Sequence, residues 1–193
     1  MPDDLRTGPD SPPTDELESA EATLAVLEHV LHGIAKDDES KQTPCREFDV
    51  AALTDHLMNS ITVIGGAAGA EFSERDRADS VERQVVLAAR PALDAWKKRG
   101  LDGAVTAGSN TAPAKIMAGV LSIEFLVHAW DYAKATGREV TVPDALSDYV
   151  MGLAKTIITP QGRTSVGFDD PIAVAADARA LDRLIAYTGR RPN

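Results

Sequence analysis

Apolar positions recur at helical spacing along most of this chain, interrupted by short polar stretches marked with Pro and Gly. Leu17, Leu24, Leu27, Val30, Leu31 and Ile34 follow the 3.6-residue period and predict a first long helix ending near Lys36. Thr14 is its expected N-cap, with Asp15, Glu16 and Glu18 as first-turn acids at the positive end of the helix dipole. Residues 1–14 hold four prolines and no apolar period. They are expected to form a disordered arm, leaving 15–193 as a single domain.

A second helix is expected from Val50, capped by Asp49, with Leu53, Leu57, Ile61 and Ile64 as its apolar stripe. The pair Gly65-Gly66 weakens its far end. A third helix follows the polar stretch 73–79, with Val81, Val85, Leu87, Ala88, Leu93 and Trp96 on its buried side. Pro91 lacks a backbone N–H and predicts a kink or break there, and Gly100 ends the helix. Residues 101–110 read as a Gly/Ala/Ser/Asn loop. A fourth helix runs from Pro113, a residue suited to a first turn, through Ala135 to a stop at Gly137. A fifth begins after Pro143 and reaches about Thr156. Ile172-Ala173-Val174 is the candidate for a short strand, and Asp177 the expected cap of a final helix ending at Gly189. Four long helices with almost no strand signal predict an all-α bundle, with additional C-terminal helices around it and a short strand or hairpin as an option.

Composition narrows the function. The net charge of −10 disfavours nucleic acid, whose phosphates need a basic surface, and anionic membranes for the same reason. One cysteine, Cys45, excludes an internal disulfide and fits a reducing compartment. The N-terminus has no charged-then-apolar leader, and no apolar run approaches the roughly 20 residues of a membrane span. The expectation is a cytoplasmic protein.

The fourth helix carries the chemistry. Ile116 to Trp130 reads IMAGVLSIEFLVHAW, apolar nearly all round with one formal charge, Glu124. Such a helix belongs in the middle of a protein, where an unpaired carboxylate protonates or finds a cation or donor. His128 lies one turn further along the same face. Two donors at that spacing can share an ion, as the two His of an HExxH helix do. A third must come from a neighbouring helix, and His56, on a face with Leu53, Ser60 and Val63, is the best candidate. Three protein ligands leave a coordination position open, the pattern of catalytic rather than structural zinc. Two His and one carboxylate equally suit non-haem iron, so ligands alone do not name the metal. A lone histidine in a helical core is also commonly a hydrogen-bonded packing residue, and spacing leaves both readings standing. His29 and His32 are expected to be partly exposed, though either could approach the site. Asp131 is a candidate acceptor to orient a ligand histidine, or a partner for a nearby Lys or Arg. Trp130 and Tyr132 read as packing, and Cys45 as a buried small residue rather than a nucleophile.

Three motifs carry a family resemblance. Thr43-Pro44-Cys45 with Phe48-Asp49-Val50 leading to His56 resembles the TPC, W, V, L, H opening of actinobacterial metal-binding DinB-like proteins. Glu124-Phe-Leu-Val-His128-Ala-Trp130-Asp131-Tyr-Ala-Lys-Ala-Thr-Gly137 is similar to that group's E-x-x-V-H-x-W-D-L-A-x-A-T-G signature. The closing stretch from Ala178 through Gly189-Arg190 to Pro192 is similar to its drLvAxxGRxP ending. Phe48 stands where the family usually carries Trp. The relatives include the N-terminal domain of mycothiol-dependent maleylpyruvate isomerase, whose separate second domain this C-terminal region is too short to supply. The resemblance implies a DinB/YfiT-like four-helix bundle with one divalent metal on His56, Glu124 and His128, zinc first and nickel or ferrous iron as alternatives. It further implies an enzyme that activates a low-molecular-weight thiol of the mycothiol type for transfer or isomerisation, with a small thiol or electrophile as partner. A hydrolase using water, and a non-catalytic metal-binding or stress protein that forms a homodimer, are the competing readings.

Overall fold

The computed structural model describes residues 10–163 and 167–192. Helix α1 spans Glu16–Leu31, α2 Val50–Ala67, α3 Val81–Arg99, α4 Ala114–Ala135, α5 Asp144–Ile157 and α6 Ala180–Tyr187. A hairpin of β1 (Ala104–Ala107) and β2 (Asn110–Pro113) joins α3 to α4. The protein is thus mostly helical with a small two-stranded sheet. No helix among the described residues is long and apolar enough to cross a membrane.

Helix α4 organises the interior. On one side Leu121, Phe125 and Ala129 join a core with Leu24 and Leu27 of α1, Leu57 and Ile61 of α2, and Val85 and Trp96 of α3. On the other, Ile123, Leu126, Val127 and Trp130 pack with Val150 of α5 and Leu184 and Ile185 of α6. Every residue from 121 to 133 is buried. That is the placement expected of a helix that is apolar all round. Gly65 explains the close pairing of α2 with α3, because a Cβ there would lie 2.7 Å from the Ala92 Cβ.

Several sequence expectations are corrected. Asp15, not Thr14, caps α1: its carboxylate accepts from the backbone N–H groups of Leu17 and Glu18. The helix stops at Leu31 rather than near Lys36, where only a short 3-10 turn, Lys36–Asp38, follows. Pro91 does not break α3. Its missing N–H leaves the Leu87 carbonyl without the usual i+4 donor, and Leu87 is 50% exposed. Leu87 itself therefore lies off the buried side where the sequence put it, roughly 120° around the helix from the stripe of Val81, Val85, Ala88 and Ala92. The loop expected over 101–110 contains most of the hairpin, in which Thr106 pairs with Thr111 and Gly108, at φ +59°, opens a two-residue turn. No strand forms at 172–174; the Ile172 N–H donates instead to the Ala186 carbonyl at the end of α6. Arg179, not Asp177, occupies the N-cap of α6, with Asp182 in the first turn paired to it. Of the expected arm, residues 1–9 lie outside the described residues, and Pro13 is buried.

Among the described residues, three buried serine hydroxyls, those of Ser19, Ser122 and Ser147, have no hydrogen-bond partner. A buried unpaired hydroxyl carries its desolvation cost without return. Ser122→Ala is therefore expected to leave stability unchanged or raise it by up to about 1 kcal/mol in urea unfolding. A loss of stability would reveal a partner for that hydroxyl.

Candidate metal centre

The geometry of α4 fixes two of the three donors. Glu124 and His128 stack one turn apart on the face that looks across to α2, with the His128 Nε2 3.5 Å from the Glu124 Oε2. His56 of α2 brings its Nε2 to 3.4 Å from the same oxygen. All three donor atoms lie within 4.8 Å of one another. The structure thus brings together the three residues singled out from the sequence, and they form a group able to hold a metal ion.

Two observations favour an ion over a simple polar cluster. The Glu124 Oε2 is buried and, among the described residues, has no hydrogen-bond partner of acceptable geometry, although two imidazole nitrogens approach it. A native orphan of that kind calls for a ligand. The two spacings to the Glu124 oxygen also fit, since tetrahedral zinc with bonds of about 2.0–2.1 Å sets its donors roughly 3.3–3.4 Å apart. A direct hydrogen bond would be shorter and better aimed.

Electrostatics agree with a cation-seeking site. Burial pushes the Glu124 carboxyl up, but attraction to His128 and His56 outweighs it and holds the group well below the usual carboxylate range. Burial pushes the His128 imidazole down, while Asp131 and Glu124 pull it up to about 9. Both shifts favour positive charge at the site.

Around the donors, each imidazole is held from behind. The His128 Nδ1 lies 3.0 Å from the Asp131 Oδ2. A carboxylate only accepts, so Nδ1–H donates, and loss of the Nε2 proton would leave that nitrogen bare toward Glu124, as a metal ligand requires. Of the two roles open to Asp131, the structure gives it both: it orients His128 and pairs with Arg190, whose Nε donates to Oδ1 at 2.8 Å. The His56 ring stacks on Phe48 with centroids 5.2 Å apart, and meets the His128 ring edge-on at the same distance. Phe48 is held by its loop, where its carbonyl accepts from the Thr43 hydroxyl and the Gln42 side-chain amide. His56 points inward less fully than its expected face implied: its side chain is 38% exposed, and Val63 on that face is 42% exposed. This opens the site to solvent on the α2 side.

Other candidates separate cleanly. His29 is exposed, and His32 is exposed and pairs with Glu82 at 3.1 Å, so neither joins the group. Trp130 and Tyr132 pack in the core, with Tyr132 hydroxyl and Thr54 hydroxyl 2.9 Å apart. Cys45 is half-buried rather than fully buried and is not a member of the donor group. Burial pushes its thiol up although Arg190 pulls it down, which leaves it a protonated, weak nucleophile at neutral pH. Phe48 and Arg190 received no role from local sequence reasoning. Their only signal was membership of motifs, because neither an aromatic stack eight residues away nor a pair 59 residues apart has a spacing rule.

Two proteins of Mycobacterium tuberculosis are similar to this chain. They are "Uncharacterized protein MT0763" of strain CDC 1551 / Oshkosh and "Uncharacterized protein Rv0738" of strain ATCC 25618 / H37Rv. Each is 24% identical over 163 residues, covering 83% of this chain and 90% of the relative. No family model matches the chain, and no solved structure does.

Proposed function

We propose that this chain is a DinB/YfiT-like four-helix-bundle metalloprotein, akin to the N-terminal domain of mycothiol-dependent maleylpyruvate isomerase. In this reading it holds one divalent ion, zinc first, between His56, Glu124 and His128, and activates a low-molecular-weight thiol for transfer or isomerisation. The observation that carries it is the orphaned, buried Glu124 oxygen facing two imidazole nitrogens at 3.4 and 3.5 Å. The motif resemblance around His56, Glu124 and the C-terminal Gly189-Arg190 supplies the thiol.

When bound, the ion supplies Lewis acidity that lowers the pKa of a thiol or water at the position the protein leaves free. The protein's residues supply the rest. Glu124 contributes negative charge that survives burial, and the Asp131 carboxylate holds His128 in the tautomer that directs Nε2 inward. Phe48 holds the His56 ring at the solvent-facing edge, where a small molecule must enter. Catalysis by a three-donor set requires such an approach, and a fully sealed site would argue for a structural ion.

The test is elemental composition of protein purified without chelators, followed by thiol consumption against a panel of electrophiles. About one ion per chain and thiol-dependent turnover, both lost in Glu124→Gln, are expected. Turnover without added thiol would move the assignment to a hydrolase. Metal at full occupancy with no turnover under either condition would leave a binding protein.

A further inference from the structure

The C-terminal turn reaches back to this centre. Its chain leaves α6 at Gly189, whose φ of +84° suits only glycine, and a Cβ there would lie 2.8 Å from the Asp169 carbonyl oxygen. That bend delivers Arg190, whose N–H donates to the Ile185 carbonyl and whose guanidinium lies 5.9 Å from the Phe168 ring centroid. The side chain is 10% exposed. Arg190 Nε donates to both Asp131 oxygens, at 2.8 and 3.0 Å, and one terminal nitrogen donates to Oδ2 at 2.9 Å. Oδ2 is the oxygen that accepts from His128 Nδ1.

Asp131 is wholly buried, so its charge needs a fixed partner. His128 alone does not supply one, because a metal ligand must be neutral when the ion is bound. Arg190 is the permanent cation that pairs with both Asp131 oxygens and aims the carboxylate at His128. We propose that Arg190 is a positioning residue of the metal centre, fixing the His128 ring through Asp131. The C-terminal turn is thereby part of the site although, among the described residues, it makes no hydrogen bond or ion pair with the three donors. This rests on the metal reading above.

The experiment measures zinc affinity by chelator competition, and the visible spectrum of the Co2+-loaded protein, in wild type and four variants. Arg190→Ala is expected to weaken affinity roughly 10- to 100-fold, the usual cost of losing a partner behind a ligand histidine, and to shift the Co2+ bands. Arg190→Lys retains charge without the fork and falls between. Arg191→Ala, at an exposed neighbour, matches wild type. Asp131→Asn covers the case in which Arg190→Ala fails to fold, and it too weakens affinity and shifts the bands. If wild type binds ion but Arg190→Ala and Arg190→Lys keep its affinity and spectrum, Arg190 serves only the fold and the metal reading stands. A wild type that binds neither zinc nor cobalt overturns both.

Discussion

His128→Ala is expected to abolish metal retention, while His32→Ala retains it in full. Both variants remove one imidazole, but the two rings live in different surroundings. His32 is 82% exposed and answers only to Glu82 on the surface. His128 is buried, with Nδ1 tied to Asp131 and Nε2 facing Glu124. Removing it leaves two donors and a cavity beside an unpaired carboxylate. Two donors rarely hold a divalent ion through purification, since structural and catalytic zinc alike use at least three. The loss should also appear as stability. An ion at 1,000 times its dissociation constant stabilises the folded state by about 4 kcal/mol, and that increment should vanish in His128→Ala. Metal analysis and thermal unfolding with and without added zinc read both effects. Equal metal content in the two variants would mean that the wrong histidine has been assigned.

The legible part of this protein was what lies within one helix. Helix α4 announced itself by being apolar on every side with a single charge, and a charge in that setting has few physical explanations. Its i, i+4 partner followed from helical geometry. His56 was legible as a residue but not as an environment: it sits roughly a quarter-turn from the centre of the Leu53, Leu57, Ile61, Ile64 stripe, so it reaches Glu124 while keeping one edge in solvent. The same angular reasoning, applied strictly, would have placed Leu87 outside the core. The hairpin escaped because four-residue strands give alternation no length in which to show, and Gly108-Ser109 lay among other small residues. The Arg190–Asp131 pair escaped for a stronger reason. It joins residues 59 apart, and only the packing of α5 on α4 and of α6 on α5 makes them neighbours.

Zinc affinity is expected to rise by about tenfold per pH unit from 7 to 9 and then to flatten, because one proton must leave His128 before the ion can bind. The His128 imidazole is raised to about 9 by Asp131 and Glu124 in spite of burial, above its ordinary value near 6.5. A raised folded-state value means that protonation stabilises the metal-free protein. That contribution is complete below pH 6.5 and disappears as pH climbs through 9. The metal-free protein should therefore lose thermal stability across this interval. The loaded protein has already released the proton and should lose less, so the gap between the two melting temperatures widens with pH. Competition against a chelator of known pH dependence separates this proton from those of the competitor. Affinity that is level between pH 7 and 9 would mean that His128 is neutral in the free protein, and that the Glu124–His128–Asp131 chain does not hold charge as its geometry indicates.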